Sequence, residues 1–236
     1  MGLPSIQHPV FSLTLPSTQQ KVSFRPFLVK EEKILLIAQS SGDQGDIVRA
    51  IKQVINNCIT DTNVDVETFT TFDLEYFFIK LRAKSVQNVI TLSYKDNDDD
   101  KRYDVEVDLD LVEVVRDKEA SNHVVLSPTS GIMLRYPQLS IMSTVEKIND
   151  AVEFNFAIMQ ACIESIYDGD KLYKTSDFSR DEVKEYIDSL DVKTYQSIQA
   201  FIEAMPRVEY VTGYVNSNGK KVDIVLKTLT DFFTLG

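Results

Sequence analysis

The sequence predicts an α+β fold, in which N-terminal β-hairpins with three helices precede a helical half that ends in a β-hairpin and an apolar tail. Some stretches alternate apolar and polar residues, as half-buried strands do. Other stretches repeat apolar residues at helical spacing. In addition, 43% of the 236 residues are apolar, which is enough for a core that needs no metal or disulfide.

A hairpin and a helix come first. Residues 10–29 alternate in polarity around a Pro-Ser-Thr turn at 16–18, which predicts two short strands. The period changes at Lys30, where Glu31 and Glu32 suit the positive amino end of a helix. The apolar face of this helix should be formed by four residues: Ile34, Leu35, Ile37 and Ala38.

Two further helices are predicted before residue 88. One starts near Asp46, whose side chain can cap the exposed amides, and its apolar stripe reaches Cys58. The other starts at Thr70-x-x-Asp73 and turns the aromatic-rich stretch 74–81 inward. These helices should supply much of the N-terminal core.

A long hairpin with an acidic tip is expected next. Apolar and acidic residues alternate on both sides of the run 96–100, so one face should be lined with carboxylates and solvated. Three aspartates match positions of a calcium-binding loop: Asp96, Asp98 and Asp100. However, Lys101 replaces the glycine of that loop and Val107 replaces its bidentate glutamate. The interpretation is therefore a solvated tip without a metal.

The region 141–207 is predicted to be helical. Its strongest signal runs from Ser143 to Tyr167, opens with a Ser143-x-x-Glu146 capping box and carries apolar residues at heptad-like spacing. This stripe, with Phe156 in it, can pack on its own domain or against another chain. Further helices are expected after Ser179 and from about 191 to 205.

Residues 208–236 should form a hairpin, around the Asn-Ser-Asn-Gly turn at 216–219, and an apolar tail. The tail contains Phe232, Phe233 and Leu235, which must be buried to avoid an exposed apolar patch. It can fold back onto its own domain or dock into a neighbouring subunit. These three side chains are therefore candidate partner-binding residues.

No sequence motif points to catalysis, a cofactor or a metal site. His8 and His123 have no nucleophile pattern beside them, and no nucleotide-binding or hydrolase signature is present. Cys58 and Cys162 lie in apolar periodic segments, which predicts reduced core thiols in a reducing cytoplasm. The scattered Cys and His residues match no zinc site. We expect a protein that is not an enzyme and has no catalytic residues.

The average charge of the chain disfavours two classes of partner, unless a local basic patch departs from that average. With 36 acidic and 25 basic side chains, the formal charge of −11 repels phosphate backbones and anionic lipids. No apolar run is long enough to span a membrane, and no leader pattern opens the sequence. We therefore expect neither nucleic acid nor membrane as a partner.

The string at 24–36 is distinctive. It reads Phe-Arg-Pro-Phe-Leu-Val-Lys-Glu-Glu-Lys-Ile-Leu-Leu and strongly resembles the opening of the baseplate hub assembly family of T-even-type contractile-tailed bacteriophages. The likeness continues through 51–58 and 73–86 and, more weakly, through 132–137. It covers the first 140 residues well, whereas the later helices match mainly in layout.

The resemblance implies a late-expressed structural or assembly subunit of the tail baseplate hub. It would be assembled in the host bacterial cytoplasm and act near the tape-measure protein, with other hub subunits and that protein as partners. Homo-oligomerisation stays open. The alternatives are a tape-measure chaperone absent from the mature virion and, as a distant third, a hub-associated cell-wall hydrolase.

The C-terminal end and the segment around Arg25 each allow a comparison between core packing and partner binding. Family members often end in a ribbon with paired cysteines and a Phe-Phe terminus. Here Phe-Phe is kept at 232–233, but 211–219 contains no Cys, so a ribbon would be held by hairpin pairing alone. At the other end, Phe27 can be core with Arg25 solvated, or Arg25 can contact a carboxylate of a partner.

Arg25 and Phe27 thus join the three tail residues as candidate partner-binding residues. The sequence blocks divide the chain into three regions. Residues 1–140 form an N-terminal α+β region, 141–207 a helical region, and 208–236 the terminal hairpin with its Phe-Phe tail. No cofactor or metal is assigned to any of them.

Overall fold

The computed structural model describes residues 6–117, 121–145 and 147–232. They form an α+β fold, which confirms the predicted class. The elements in chain order are β1 (Phe11–Thr14), β2 (Lys21–Phe24), α1 (Val29–Ser41), α2 (Gln44–Cys58), α3 (Thr71–Ser85), β3 (Val89–Lys95), β4 (Arg102–Asp108), β5 (Glu113–Val115), β6 (His123–Ser127), β7 (Ser130–Leu134), α4 (Leu139–Val145), α5 (Ala151–Cys162), β8 (Ile163–Asp168), β9 (Lys171–Lys174), α6 (Arg180–Asp188), α7 (Val192–Glu203), β10 (Arg207–Val215), β11 (Lys221–Leu226) and α8 (Leu229–Phe232).

By their contacts, the described residues group into two compact units. The first unit comprises the residues up to 66, 72–115, and those from 207 onward; the second comprises 67–71 and 116–206. The division into 1–140, 141–207 and 208–236 follows sequence blocks rather than contacts, and it stays a prediction. Among the described residues, no helix combines the length and apolar character that a membrane span needs.

The first unit contains three antiparallel sheets and a core of aromatic and branched side chains. β1 pairs with β2, β3 with β4, and β10 lies between β11 and β5. The predicted hairpins at both ends of the chain are therefore confirmed. In the core, the ring of Phe24 lies 5.2 Å from that of Phe77, which joins β2 to α3.

Two details of the first helices differ from the prediction. Asp43, not Asp46, caps α2, because the Asp43 carboxylate accepts the Asp46 amide at 2.8 Å. On α1, Leu35 and Ala38 are buried as expected, but Ile37 points outward. The reason is Glu31, which lies fully buried on the inner face and so fixes how the helix is rotated.

The predicted single helix from Ser143 to Tyr167 is wrong. Helix α4 ends at Val145, α5 begins only at Ala151, and the chain after Cys162 is strand β8. Asp150 starts α5 by accepting the amides of residues 152 and 153 at 2.9 and 2.8 Å. Glu146 of the predicted capping box lies outside the described residues.

After Cys162, hydrogen bonding to neighbouring strands makes the chain a strand, although the apolar residues keep a heptad-like spacing. The segment 163–168 is rich in β-branched and aromatic residues, and β8 pairs on both sides, with β7 and β9. The resulting sheet has the order β6-β7-β8-β9. Helical periodicity continued into this strand only because residues 163 and 166 happen to keep the spacing of the preceding helix.

The core of the second unit lies between this sheet and helices α5, α6 and α7. Phe201 is almost fully buried, and its ring stacks on Tyr136 with centroids 4.8 Å apart. Phe156, which belongs to the stripe predicted to pack on its own domain or against another chain, is only partly buried and contacts Tyr195 at 5.7 Å between ring centroids. The capping box at Ser179 is confirmed, because Ser179 and Glu182 bond reciprocally at the start of α6.

Candidate interaction site

A buried ion pair fixes the start of α1. Arg25 follows strand β2, and its Nη2 donates to Glu31 Oε1 at 3.1 Å and to the Asn57 carbonyl at 2.9 Å. Its Nη1 donates to the Pro26 carbonyl at 2.9 Å. Glu31 Oε2 in turn accepts the Leu28 amide at 2.9 Å. One guanidinium therefore links β2, α1 and the end of α2.

The electrostatics of this pair favour its charged state. Burial alone would raise the pKa of Glu31, but the hydrogen bonds from Arg25 and the Leu28 amide outweigh it and hold that pKa below its usual value. The hydrogen bond to Glu31 likewise raises the pKa of Arg25. The side chain of Glu31 is 0% exposed and that of Arg25 is 18% exposed. Removing either partner would strand a buried charge.

The fixed rotation of α1 leaves apolar side chains on its outer surface. Val29 is 86% exposed, Ile37 63% and Leu36 45%. With Lys33 and Ser40, which are also exposed, these residues share one side of the helix at spacings of three, four and seven. We call this set the α1 outer face, and it is the candidate interaction site.

The predicted partner residues Arg25 and Phe27 lie beneath this face rather than on it. Arg25 already has a carboxylate partner within the chain, and Phe27 is buried, with its amide donating to Ser85 Oγ at 2.9 Å. Their predicted role in binding a partner stays a prediction. Hydropathy could not have identified the α1 outer face, because apolar residues occur all around this helix.

The acidic tip at 96–100 is not simply solvated, which corrects that prediction. Asp96 is buried and accepts the Tyr214 hydroxyl at 2.9 Å and the Asn216 amide nitrogen at 3.4 Å. Asp99 accepts the Ser217 amide at 3.0 Å. Tyr214 also stacks on Tyr103, with ring centroids 4.4 Å apart. The tip of the β3–β4 hairpin is thus bound to the turn of the β10–β11 hairpin within the first unit.

Hydrogen bonding and burial shift the pKa values of Asp99 and Tyr214 in this cluster in opposite directions. The hydroxyls of Ser217 and Tyr103 hold the pKa of Asp99 well below its usual value. Burial, followed by the hydrogen bond to Asp96, raises the pKa of Tyr214 to about 12. In the part of the chain that the structure describes, no group of three or more His, Cys, Asp or Glu residues is placed to hold a metal ion.

The C-terminal segment packs inside the first unit as far as the structure describes it. Leu229 and Phe232, both in α8, are buried. The Leu229 amide donates to the Glu75 carboxylate, and burial raises the pKa of Glu75 to about 7. Phe232 is therefore a core side chain of its own unit, and its predicted binding of a partner stays a prediction. Phe233 and Leu235 lie outside the described residues.

The two histidines and the two cysteines are divided between the two units. His8 is exposed near the start of the described chain, whereas His123 Nε2 lies 2.8 Å from the Tyr167 hydroxyl in the second unit. Both cysteines are buried and unpaired by any disulfide, as predicted. Burial raises the pKa of Cys58 to about 11 and that of Cys162 to about 12, so neither thiol ionises at neutral pH.

One known protein family matches nearly the whole chain, including both units. A family model described as T4 bacteriophage base plate protein matches residues 8–234. The match begins before β1 and extends beyond α8, so it includes the candidate site on α1. No curated protein and no solved structure matches the chain.

Proposed function

The chain belongs to the T4 bacteriophage base plate protein family, and from this premise we propose that it is a non-catalytic subunit of the central hub of the baseplate. Membership makes it a structural protein of the phage tail baseplate. The hub assignment rests on the string at 24–36, which resembles the hub assembly family. That string ends β2 and forms the first half of α1.

The observation that carries a binding role is the α1 outer face. A single exposed apolar residue on a surface helix is common. Three of them on one side of α1 form an apolar surface, and covering it with a partner would remove that area from water, which is favourable. The helix is held by the Arg25–Glu31 ion pair, so this surface is preorganised. A partner pays little ordering entropy when it binds such a surface.

We propose other hub subunits, or the tape-measure protein, as the molecules that cover this face. Both are partners that the hub resemblance implies. The net charge of −11 supports proteins rather than nucleic acid as partners. Binding would place apolar side chains at the centre of the contact, with Lys33 at its rim.

A cryo-electron microscopy map of the tail tip tests this proposal. The expected result is density for this chain at the centre of the baseplate, with the α1 outer face against a neighbouring subunit. Density at the periphery would overturn the hub assignment. If mass spectrometry detects the chain in hub intermediates but not in purified virions, the resident role is replaced by that of an assembly factor or tape-measure chaperone. Release of peptidoglycan by the purified protein would overturn the non-catalytic assignment.

A further inference from the structure

A second candidate site lies entirely within the second unit, where sheet and helix leave a cavity of about 540 Å³. Its floor continues the core of that unit through Leu126, Ile166 and Val183. This volume is in the range of about 300–1,000 Å³ that ligand sites occupy. The cavity is therefore large enough to receive a long side chain from another molecule.

Aromatic rings form the walls. Tyr167, Tyr173, Phe178 and Tyr186 all line the cavity. The rings of Tyr173 and Phe178 lie 6.3 Å apart at 49° to each other, and both residues are exposed. Exposed aromatic pairs at the mouth of a cavity are surfaces on which a flat or cationic group can stack.

Several polar groups of the lining already have hydrogen-bond partners within the chain. Thr175 Oγ1 donates to the Ile163 carbonyl at 2.6 Å, and Glu182 Oε2 accepts the Ser179 amide at 2.8 Å. For the Asp168 carboxylate, the described residues provide neither a hydrogen bond nor an ion pair. Lys171 lies opposite Asp168 in the strand register, yet the described residues show no ion pair between them.

The charge of the lining has one sign. Asp168 and Glu182 are acidic, and no Lys or Arg is among the lining residues that the structure describes. Asp168 is also close to the aromatic wall, because its charge adds to burial in raising the pKa of Tyr186. The cavity therefore repels anions and attracts cations.

We propose that this cavity receives an arginine side chain presented by another protein chain. The guanidinium stacks on the exposed face of the Tyr173–Phe178 ring pair and donates to the Asp168 carboxylate, while its methylene stem covers the apolar floor. Arginine fits better than lysine, because its planar group combines stacking with directed hydrogen bonds. The proposal does not depend on the hub assignment or on the α1 outer face.

The test uses the full chain and two short peptides. Acetylated and amidated Leu-Arg-Leu is titrated into protein with labelled tyrosines, and the ring signals are followed by nuclear magnetic resonance. Leu-citrulline-Leu is the matched probe, since citrulline keeps the shape of arginine but has no charge. We expect saturable shifts at Tyr173 and Tyr186 with the arginine peptide and binding at least about fivefold weaker with the citrulline peptide.

Asp168→Asn should weaken binding of the arginine peptide about fivefold. Asp170→Asn, an exposed neighbour that does not line the cavity, should leave it unchanged. Because Asp168 is exposed, both variants should fold, and their melting curves provide the check. Equal binding of the two peptides, an unaltered affinity in Asp168→Asn, or no saturable shift at the cavity tyrosines would each overturn the proposal.

Discussion

Two carboxylates, one in each unit, show how differently the same group can be placed. Glu31 in the first unit is completely buried and receives hydrogen bonds from Arg25 and the Leu28 amide. Asp168 in the second unit lines an aromatic cavity and has no such partner among the described residues. The comparison suggests that charges satisfied within the chain build the scaffold, and that a charge left facing a cavity is available to another molecule.

Apolar side chains also fall into two groups, those buried in a core and those exposed on the surface. Phe201 is buried in the second unit and holds its core together, whereas Val29 and Ile37 in the first unit face outward on a fixed helix. Substitutions on the inner side should therefore change the free energy of unfolding. Substitutions on the outer side should change binding alone.

The largest change in the free energy of unfolding is expected from substitutions of buried core residues. Phe201→Ala removes a nearly fully buried ring that stacks on Tyr136, and it should lower the free energy of unfolding by about 3–5 kcal/mol. Phe156→Ala is the matched change at a partly buried ring and should cost about 1–2 kcal/mol. Urea unfolding of the isolated protein measures both. If both substitutions lowered the free energy of unfolding equally, the difference in burial between Phe201 and Phe156 would not determine their contributions to stability.

Arg25→Ala is expected to have the next largest effect, about 3 kcal/mol, because it leaves the buried Glu31 carboxylate without its cation. Arg49→Ala is the control. Arg49 pairs with Asp46 on the surface, with its side chain 70% exposed, and its loss should cost less than about 0.5 kcal/mol. If Arg25→Ala melts like the wild type but fails to assemble, Arg25 is a partner contact after all, as the sequence allowed.

A smaller effect is expected from pH through Glu75. Its pKa is raised from 4.5 to about 7 in the folded chain, mainly by burial, so its contribution to stability is fully present below about 4.5 and is lost as pH rises through 7. Glu75→Gln removes this charge and should stabilise the protein by about 1–2 kcal/mol at pH 8, with little change at pH 4.5. Thermal melts at both pH values measure it.

Glu106→Gln, on an exposed position of β4, is the control for the pH effect. It should give the same difference between the two pH values as the wild type. A Glu75→Gln variant whose stability declines between pH 5 and 8 as steeply as that of the wild type would show that Glu75 is not the group responsible.

Much of the fold could be predicted from local patterns. The terminal hairpins, the helices capped by Ser179 and Asp191 and the burial of both cysteines follow from alternation, capping residues and helical spacing. The interruption of the helix at 147–150 could not be predicted in this way. The apolar spacing continues across it, and only pairing with β7 and β9 makes 163–168 a strand.

The candidate sites depend on contacts between distant residues, which explains why the sequence did not reveal them. The outward direction of Ile37 follows from the burial of Glu31, and that burial requires Arg25. The docked state of Asp96 requires Tyr214, which lies 118 residues away. The aromatic cavity combines side chains from four strands and one helix with Thr175 and Phe178. No local pattern encodes such combinations.

Binding of a baseplate partner by the α1 outer face can be tested with a charge substitution at Ile37. Ile37→Asp places a charge on that face, while Val125→Asp places one on an equally exposed residue of the second unit, since both side chains are 63% exposed. Both variants should unfold within about 0.5 kcal/mol of the wild type.

Complementation of a phage lacking this protein then decides the matter, with infectious tails counted for each variant. We expect Val125→Asp to restore tails as well as the wild type, whereas Ile37→Asp, although folded, should not. A folded Ile37→Asp protein that restores normal numbers of infectious tails would show that the α1 outer face does not bind a baseplate partner.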